Sequence, residues 1–183
     1  MRAVTKDSTS SLWAWSSASR KSHPGTPNFR FQLADLYNKE YNPTGRLAAK
    51  DYVFPFADNT FDFVFLTSVF THMLPEDVEH YVAEISRVLR PGGRCLITFF
   101  LLNEVSEELQ TAGKSAIRFD FDLGVCKARR KDVHEDAIAY KEPYVRTLFA
   151  NHNLTIIEPI HYGSWSGRGQ FLSYQDIIIS AKS

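Results

Sequence analysis

From Phe29 onward the apolar and polar positions fall into a regular order. Phe29, Phe31 and Leu33 alternate with Arg30 and Gln32, as in a half-buried strand that ends near Asp35. Residues 36–59 contain Asn42-Pro43-Thr44-Gly45 and Pro55 and show no helical face, so they read as a long connection, and such connections are often functional. Residues 61–69 are almost continuously apolar, which predicts a central strand covered on both faces. Pro75, with Glu76 and Asp77 beside it, opens a helix, because the fixed φ of proline and the positive end of the helix dipole favour these residues there. Val78, Tyr81, Val82, Ile85, Val88 and Leu89 give that helix one buried face, and Arg87, Arg90 and then Pro91-Gly92-Gly93 close it.

Residues 95–102 are again doubly apolar, a second buried strand. Asn103 caps a short helix carrying Val105, Leu109 and Ala112, and Gly113 ends it. Ile117, Phe119, Phe121 and Leu123 alternate with Arg118, Asp120 and Asp122, which predicts a surface ribbon paired with residues 137–140. A further helix starts near Pro143. Residues 154–160 and 176–181 form a last, antiparallel strand pair around a loop rich in glycine and aromatics. Strands alternating with helices in this way predict an α/β three-layer domain with a mostly parallel sheet.

The first 28 residues break the pattern, with seven serines, three threonines, four basic residues and one acid. Residues 1–27 are expected to be an unstructured or replaced tail, with a transit peptide as the alternative, and residues 28–183 to be the folded domain.

Composition narrows the partners. Twenty-one basic residues balance 21 acidic ones, so neither nucleic acid nor an anionic membrane is favoured, because both demand a basic excess. The longest apolar run is far short of the roughly 20 residues needed to span a bilayer. Cys95 and Cys126 lack metal-site spacing and suggest neither a disulfide framework nor zinc, so no metal is expected and a reducing, cytoplasmic setting fits best.

Two segments carry a resemblance. The run from Phe54 through Pro55-Phe56-Ala57-Asp58-Asn59-Thr60-Phe61-Asp62 to Val64, followed by Val88-Leu89-Arg90-Pro91-Gly92-Gly93, is similar to the class I S-adenosylmethionine-dependent methyltransferases, particularly the type 11 subgroup. The resemblance implies a Rossmann-like methyltransferase sheet of order 3-2-1-4-5-7-6, in which residues 29–33 are the third strand, 61–67 the fourth and 94–102 the fifth. It implies S-adenosylmethionine as cofactor and a small-molecule acceptor. It also implies cofactor-binding roles for Asp35, toward the adenine amino group, and for Leu66, Thr67, Ser68 and Val69 at the carboxyl end of the fourth strand. A carboxylate suits the adenine amino group because it only accepts hydrogen bonds. Without the resemblance, Asp35 reads as a turn cap, and Thr67 and Ser68 as backbone-bonded hydroxyls.

His72, just beyond that strand, is the candidate general base or substrate contact, with a turn-filling histidine as the plain alternative. Trp165 and Arg168, in the loop of residues 161–170, are candidate substrate contacts, with a flexible hairpin tip as the alternative. The cluster Lys127, Arg129, Arg130 and Lys131 reads as a solvated turn.

The chain departs from the family at its start. No glycine-rich loop follows a first strand, the first glycine is Gly25, and Asp7 is the only acid before Asp35. The expectation is an N-terminally truncated sheet with weakened cofactor affinity, by about three to five powers of ten for three lost contacts of roughly 1 to 3 kcal/mol each. The strand of residues 61–67 would then bare an apolar edge. Three arrangements would cover it: the strand near residue 29 shifts over, residues 1–27 fill the gap, or another copy or protein associates. The first and third are favoured. Two readings of activity stay open, a working methyltransferase and a non-catalytic remnant that binds a protein.

Overall fold

The computed structural model describes residues 2–6, 12–14, 29–31 and 34–183. Its strands in chain order are β1 (Arg2–Lys6), β2 (Leu12–Ala14), β3 (Phe29–Phe31), β4 (Phe61–Thr67), β5 (Leu89–Phe99), β6 (Leu101–Leu102), β7 (Phe121–Asp122), β8 (Cys126–Ala128), β9 (Ile138–Lys141), β10 (Leu154–Ile156) and β11 (Asp176–Lys182). The helices are α1 (Pro75–Val88), α2 (Glu104–Thr111) and α3 (Glu142–Asn151). Seven strands form the main sheet in the order β10-β11-β5-β4-β1-β2-β3, and four form a second sheet, β6-β9-β8-β7.

The main sheet grows from β4 and β5, which are parallel and joined by α1. Pro75 at the helix start and the buried series Val78, Tyr81, Val82, Ile85 and Val88 appear where the spacing predicts them. The predicted Pro91-Gly92-Gly93 turn is instead an excursion within β5, since Phe61 pairs with Leu89 and Phe63 with Arg94. Gly92 takes a φ of 76°, and a Cβ on Gly93 would lie 2.8 Å from the Arg90 carbonyl oxygen. Glycine therefore lets the chain re-enter the sheet directly from the helix. β11 runs antiparallel between β5 and β10, the expected closing pair, with the first of the two shorter than predicted.

The edge of β4 is paired by β1 in antiparallel register, from Arg2 opposite Thr67 to Lys6 opposite Phe63. Of the three ways of covering that edge, the structure has the one the sequence favoured least, so the edge is not open for a second copy. β3 remains three places from β4, as the implied order requires. The predicted residues Gln32 and Leu33 of that strand lie outside the described residues.

One face of the sheet carries the core: Val64, Leu66, Cys95, Ile97 and Ile178 are buried with Val78, Val82 and Ile85 of α1 and Val145, Leu148 and Phe149 of α3. On the other face Phe63, Phe65, Leu96, Ile177 and Ile179 are half-buried, so β4 is fully covered on one side where its apolar run predicts cover on both. The second sheet corrects the predicted ribbon. Residues 117–120 are not strand, and β8 lies between β7 and β9. Around it Phe100, Leu102, Phe119, Ala139 and Trp165 make a smaller core. α2 is capped by Asn103 as expected, but Ser106 and Gln110 are buried while Val105 is exposed, because Gln110 hydrogen-bonds both backbone groups of Phe119. No helix among the described residues is long and apolar enough to cross a membrane.

Candidate functional site

A cavity of about 530 Å³ opens at the carboxyl end of β4, within the size range of small-molecule sites. The long connection after β3 builds one wall. Asn38 folds it, with Oδ1 accepting from the amides of Glu40 (3.1 Å) and Tyr41 (2.9 Å), and Asn42 Nδ2 donates to the Leu36 carbonyl at 2.8 Å. Gly45 is required there, since a Cβ would lie 2.3 Å from Leu36 backbone atoms. The folded loop presents Leu36, Tyr37, Tyr41, Ala49 and Phe54 to the cavity.

α1 holds that wall in place. The Lys50 amide donates to Asp77 Oδ1 at 2.9 Å, and Lys50 Nζ pairs with Glu76 at 3.0 Å. Glu84 accepts from the Phe54 amide at 2.7 Å, while the Arg87 guanidinium donates to the carbonyls of Phe54 (3.0 Å) and Phe56 (2.8 Å) and pairs with Glu84 and Asp58.

The opposite wall is the end of β4. Leu66, Ser68 and Val69 line the cavity, and Thr67 does not. Ser68 has a φ of 55°, an uncommon left-handed conformation for a residue other than glycine. It is held by polar neighbours: its amide donates to Thr98 Oγ1 (2.8 Å), and the Ser68 and Thr98 hydroxyls both donate to Gln175 Oε1 at 3.0 and 2.7 Å.

His72 lies between β4 and α1 and lines the same cavity. Its Nδ1 donates to the Glu135 carbonyl at 3.1 Å, its own carbonyl accepts from Asn38 Nδ2 at 2.9 Å, and the Tyr41 ring stands edge-on at 4.8 Å. A carbonyl oxygen can only accept, so the neutral ring carries its proton on Nδ1 and leaves the lone pair on Nε2. Burial lowers the imidazole pKa, which keeps the ring neutral at pH 7. The lining includes three acidic residues, Glu76, Asp77 and Glu135, and one basic residue, Lys50, whose ammonium is paired with Glu76.

Besides Thr67, three sequence candidates lie outside the lining. Asp35 sits between the lining residues Ala34 and Leu36, and its carboxylate takes hydrogen bonds from Arg46 (2.7 Å) and Asn42 (3.4 Å), which hold its pKa low. Asp35 itself is not among the lining residues. Trp165 is fully buried, packed against Phe100 and Phe119, and its indole N–H donates to Asp176 at 2.8 Å; it is a core residue. Arg168 stacks 4.4 Å above the Tyr162 ring and donates to Asn103. Tyr41 and Asn38 are lining residues that the sequence did not single out, and the length of their loop was the one available signal; Glu76 and Asp77 also line the cavity, and the sequence marks them only as helix-start residues. No group of three or more His, Cys, Asp or Glu side chains among the described residues is placed to hold a metal ion.

Residues 27–97 match the sequence profile of a methyltransferase domain of the type 11 group. All the lining residues except Glu135 fall inside this segment. The fold is similar to that of a SAM-dependent methyltransferase from Methanosarcina mazei, with a TM-score of 0.53 and 19% identity over 84% of this chain and 67% of that one. It is also similar to a protein from Pyrococcus horikoshii OT3, with a TM-score of 0.52 and 17% identity over 85% of this chain and 60% of that one. The chain thus spans three fifths to two thirds of the length of these two proteins, and the likeness is one of fold.

Proposed function

We propose that this chain is a class I S-adenosylmethionine-dependent methyltransferase that binds the cofactor in the cavity beside β4 and methylates a small-molecule acceptor there. The observation that carries this reading is the position of the cavity. It lies outside the carboxyl end of a parallel strand, where open α/β sheets bind ligands, and the family-matched segment builds nearly all of it.

The lining fits such a cofactor in charge and polarity. Leu36, Phe54, Leu66, Val69 and Met73 offer apolar contact to an adenosyl group, and Glu76 and Asp77 favour a cationic sulfonium. The cofactor supplies an electrophilic methyl group. The protein's share is positioning and proton handling: Ser68, Val69 and Tyr41 bound the cavity, and His72 Nε2 is the lone pair that would take an acceptor proton. The engaged Asp35 carboxylate is one reason to expect weak cofactor binding. Cys95 and Cys126 are both buried and not disulfide-bonded, which suits a reducing compartment such as the cytoplasm.

Calorimetric titration of the 183-residue chain with S-adenosylmethionine and S-adenosylhomocysteine tests the reading, with circular dichroism to establish folding. Saturable binding below millimolar is expected. A folded chain that takes up neither ligand at millimolar concentration would overturn it. That result would favour the second reading, a non-catalytic protein-binding remnant, which the engaged Asp35 also supports.

A further inference from the structure

We propose that the methyl acceptor is an uncharged planar aromatic with a hydroxyl group, a phenol in the broad sense, seated against Tyr41 with its O–H directed to His72 Nε2. This inference rests on the methyltransferase reading of the same cavity.

Three observations select this class. The first is charge: the lining counts three acidic residues, Glu76, Asp77 and Glu135, against one basic residue, Lys50, which Glu76 already holds at 3.0 Å. An anionic acceptor entering a site with that balance meets repulsion and no available cation. A cationic acceptor would instead share a small cavity with a sulfonium of the same sign.

The second observation is shape and polarity. Most of the lining residues are apolar or aromatic, and two of the lining rings are largely exposed, Tyr37 at 47% and Tyr41 at 63%. Tyr41 is edge-on to the half-buried His72 ring, so one of its faces is free of that imidazole. Offset or edge-on aromatic pairs contribute beyond the area they bury, which favours a flat aromatic ligand at this position over an aliphatic one.

The third observation is the base. Nδ1 is committed to the Glu135 carbonyl and the Asn38 amide fixes the His72 backbone, so the ring presents Nε2 as an acceptor with its tautomer set. A carboxylate acceptor arrives already deprotonated and needs no such group. A phenol does need it: as the oxygen lone pair forms the C–O bond, the sulfonium C–S bond breaks and its electron pair returns to sulfur as a neutral thioether. The phenolic proton passes to Nε2 and from there to solvent.

The test is calorimetry on the full chain with S-adenosylhomocysteine present, titrating para-cresol, para-methylanisole, para-toluate and para-methylbenzylamine. Para-cresol is expected to bind about three- to tenfold more tightly than para-methylanisole, the margin of one hydrogen bond, and para-toluate more weakly than either. In His72→Phe the margin of cresol over anisole is expected to vanish while anisole affinity holds. The wild-type ranking stands as a test even if that variant fails to fold. First place for toluate or the amine, or a cresol margin unchanged in folded His72→Phe, would overturn the proposal. The S-adenosylhomocysteine titration is read separately. Binding of that ligand with a flat acceptor ranking sinks only the acceptor class, whereas the expected ranking without it sinks only the cofactor reading.

Discussion

Among the described residues Trp165 is the largest fully buried side chain, and its placement depends on one carboxylate. Asp176 accepts from the amides of Leu101 and Gly163, both at 2.6 Å, and from the Trp165 indole at 2.8 Å, so a buried acid satisfies three donors that would otherwise be stranded. Trp165→Phe is expected to lower stability by about 2 kcal/mol, from lost ring volume and a lost hydrogen bond, while leaving S-adenosylhomocysteine affinity unchanged. Urea denaturation and calorimetry measure the two effects; lost affinity at unchanged stability would return Trp165 to the ligand site. The sequence placed this residue in a loop rich in glycine and aromatics, and such a loop reads equally well as a binding tip. What decides the matter is the partner Asp176, 11 residues away, whose burial is invisible without the packed structure. That His72 lies at the cavity was legible for the opposite reason, because its position between a buried strand and a proline-started helix fixes where its backbone must lie.

At the scale of elements, the connection after β3 is tied to α1 by Arg87 and Glu84, which together take up the backbone of Phe54 and Phe56. Sequence spacing assigned Arg87 only to the helix end, where a cation complements the dipole. In the structure it joins the helix to a cavity wall, with its side chain three-quarters buried. Arg87→Ala is expected to cost about 2 to 3 kcal/mol, because Glu84 and the loop carbonyls lose a charged donor, and to weaken S-adenosylhomocysteine binding as Phe54 loosens. Thermal unfolding and titration of the one variant report both effects; loss of stability with full affinity would show that the wall does not need this clamp. The sequence marked residues 36–59 as a functional connection, yet the contacts that shape it reach 27 to 34 residues along the chain, as in Asn38 to His72, Lys50 to Asp77 and Phe54 to Arg87.

For the whole molecule, β5 is the strand flanked on both sides by long partners, β4 and β11, over the one fully buried face of the sheet. Its amides from Cys95 to Phe99 are expected to be the last to exchange with deuterium, and those of the two-residue β7 among the first. Mass-spectrometric exchange over hours would contradict this if the second sheet were protected as long as the first. The sequence by itself determined the elements that local rules govern: the proline-started α1, the Asn103 cap, the buried runs of β4 and β5, and the two motif runs, 54–64 and 88–93, that carry the family likeness. Spacing, capping and φ preferences act over a few residues, so they can be read directly from the chain. Only the tertiary structure decided that β1 pairs with the edge of β4, that Asp35 turns to Arg46, that Trp165 belongs to the core and that Tyr41 meets His72. Each of these depends on which distant groups compete for one hydrogen bond or one buried volume, and that competition exists only after the chain has closed on itself.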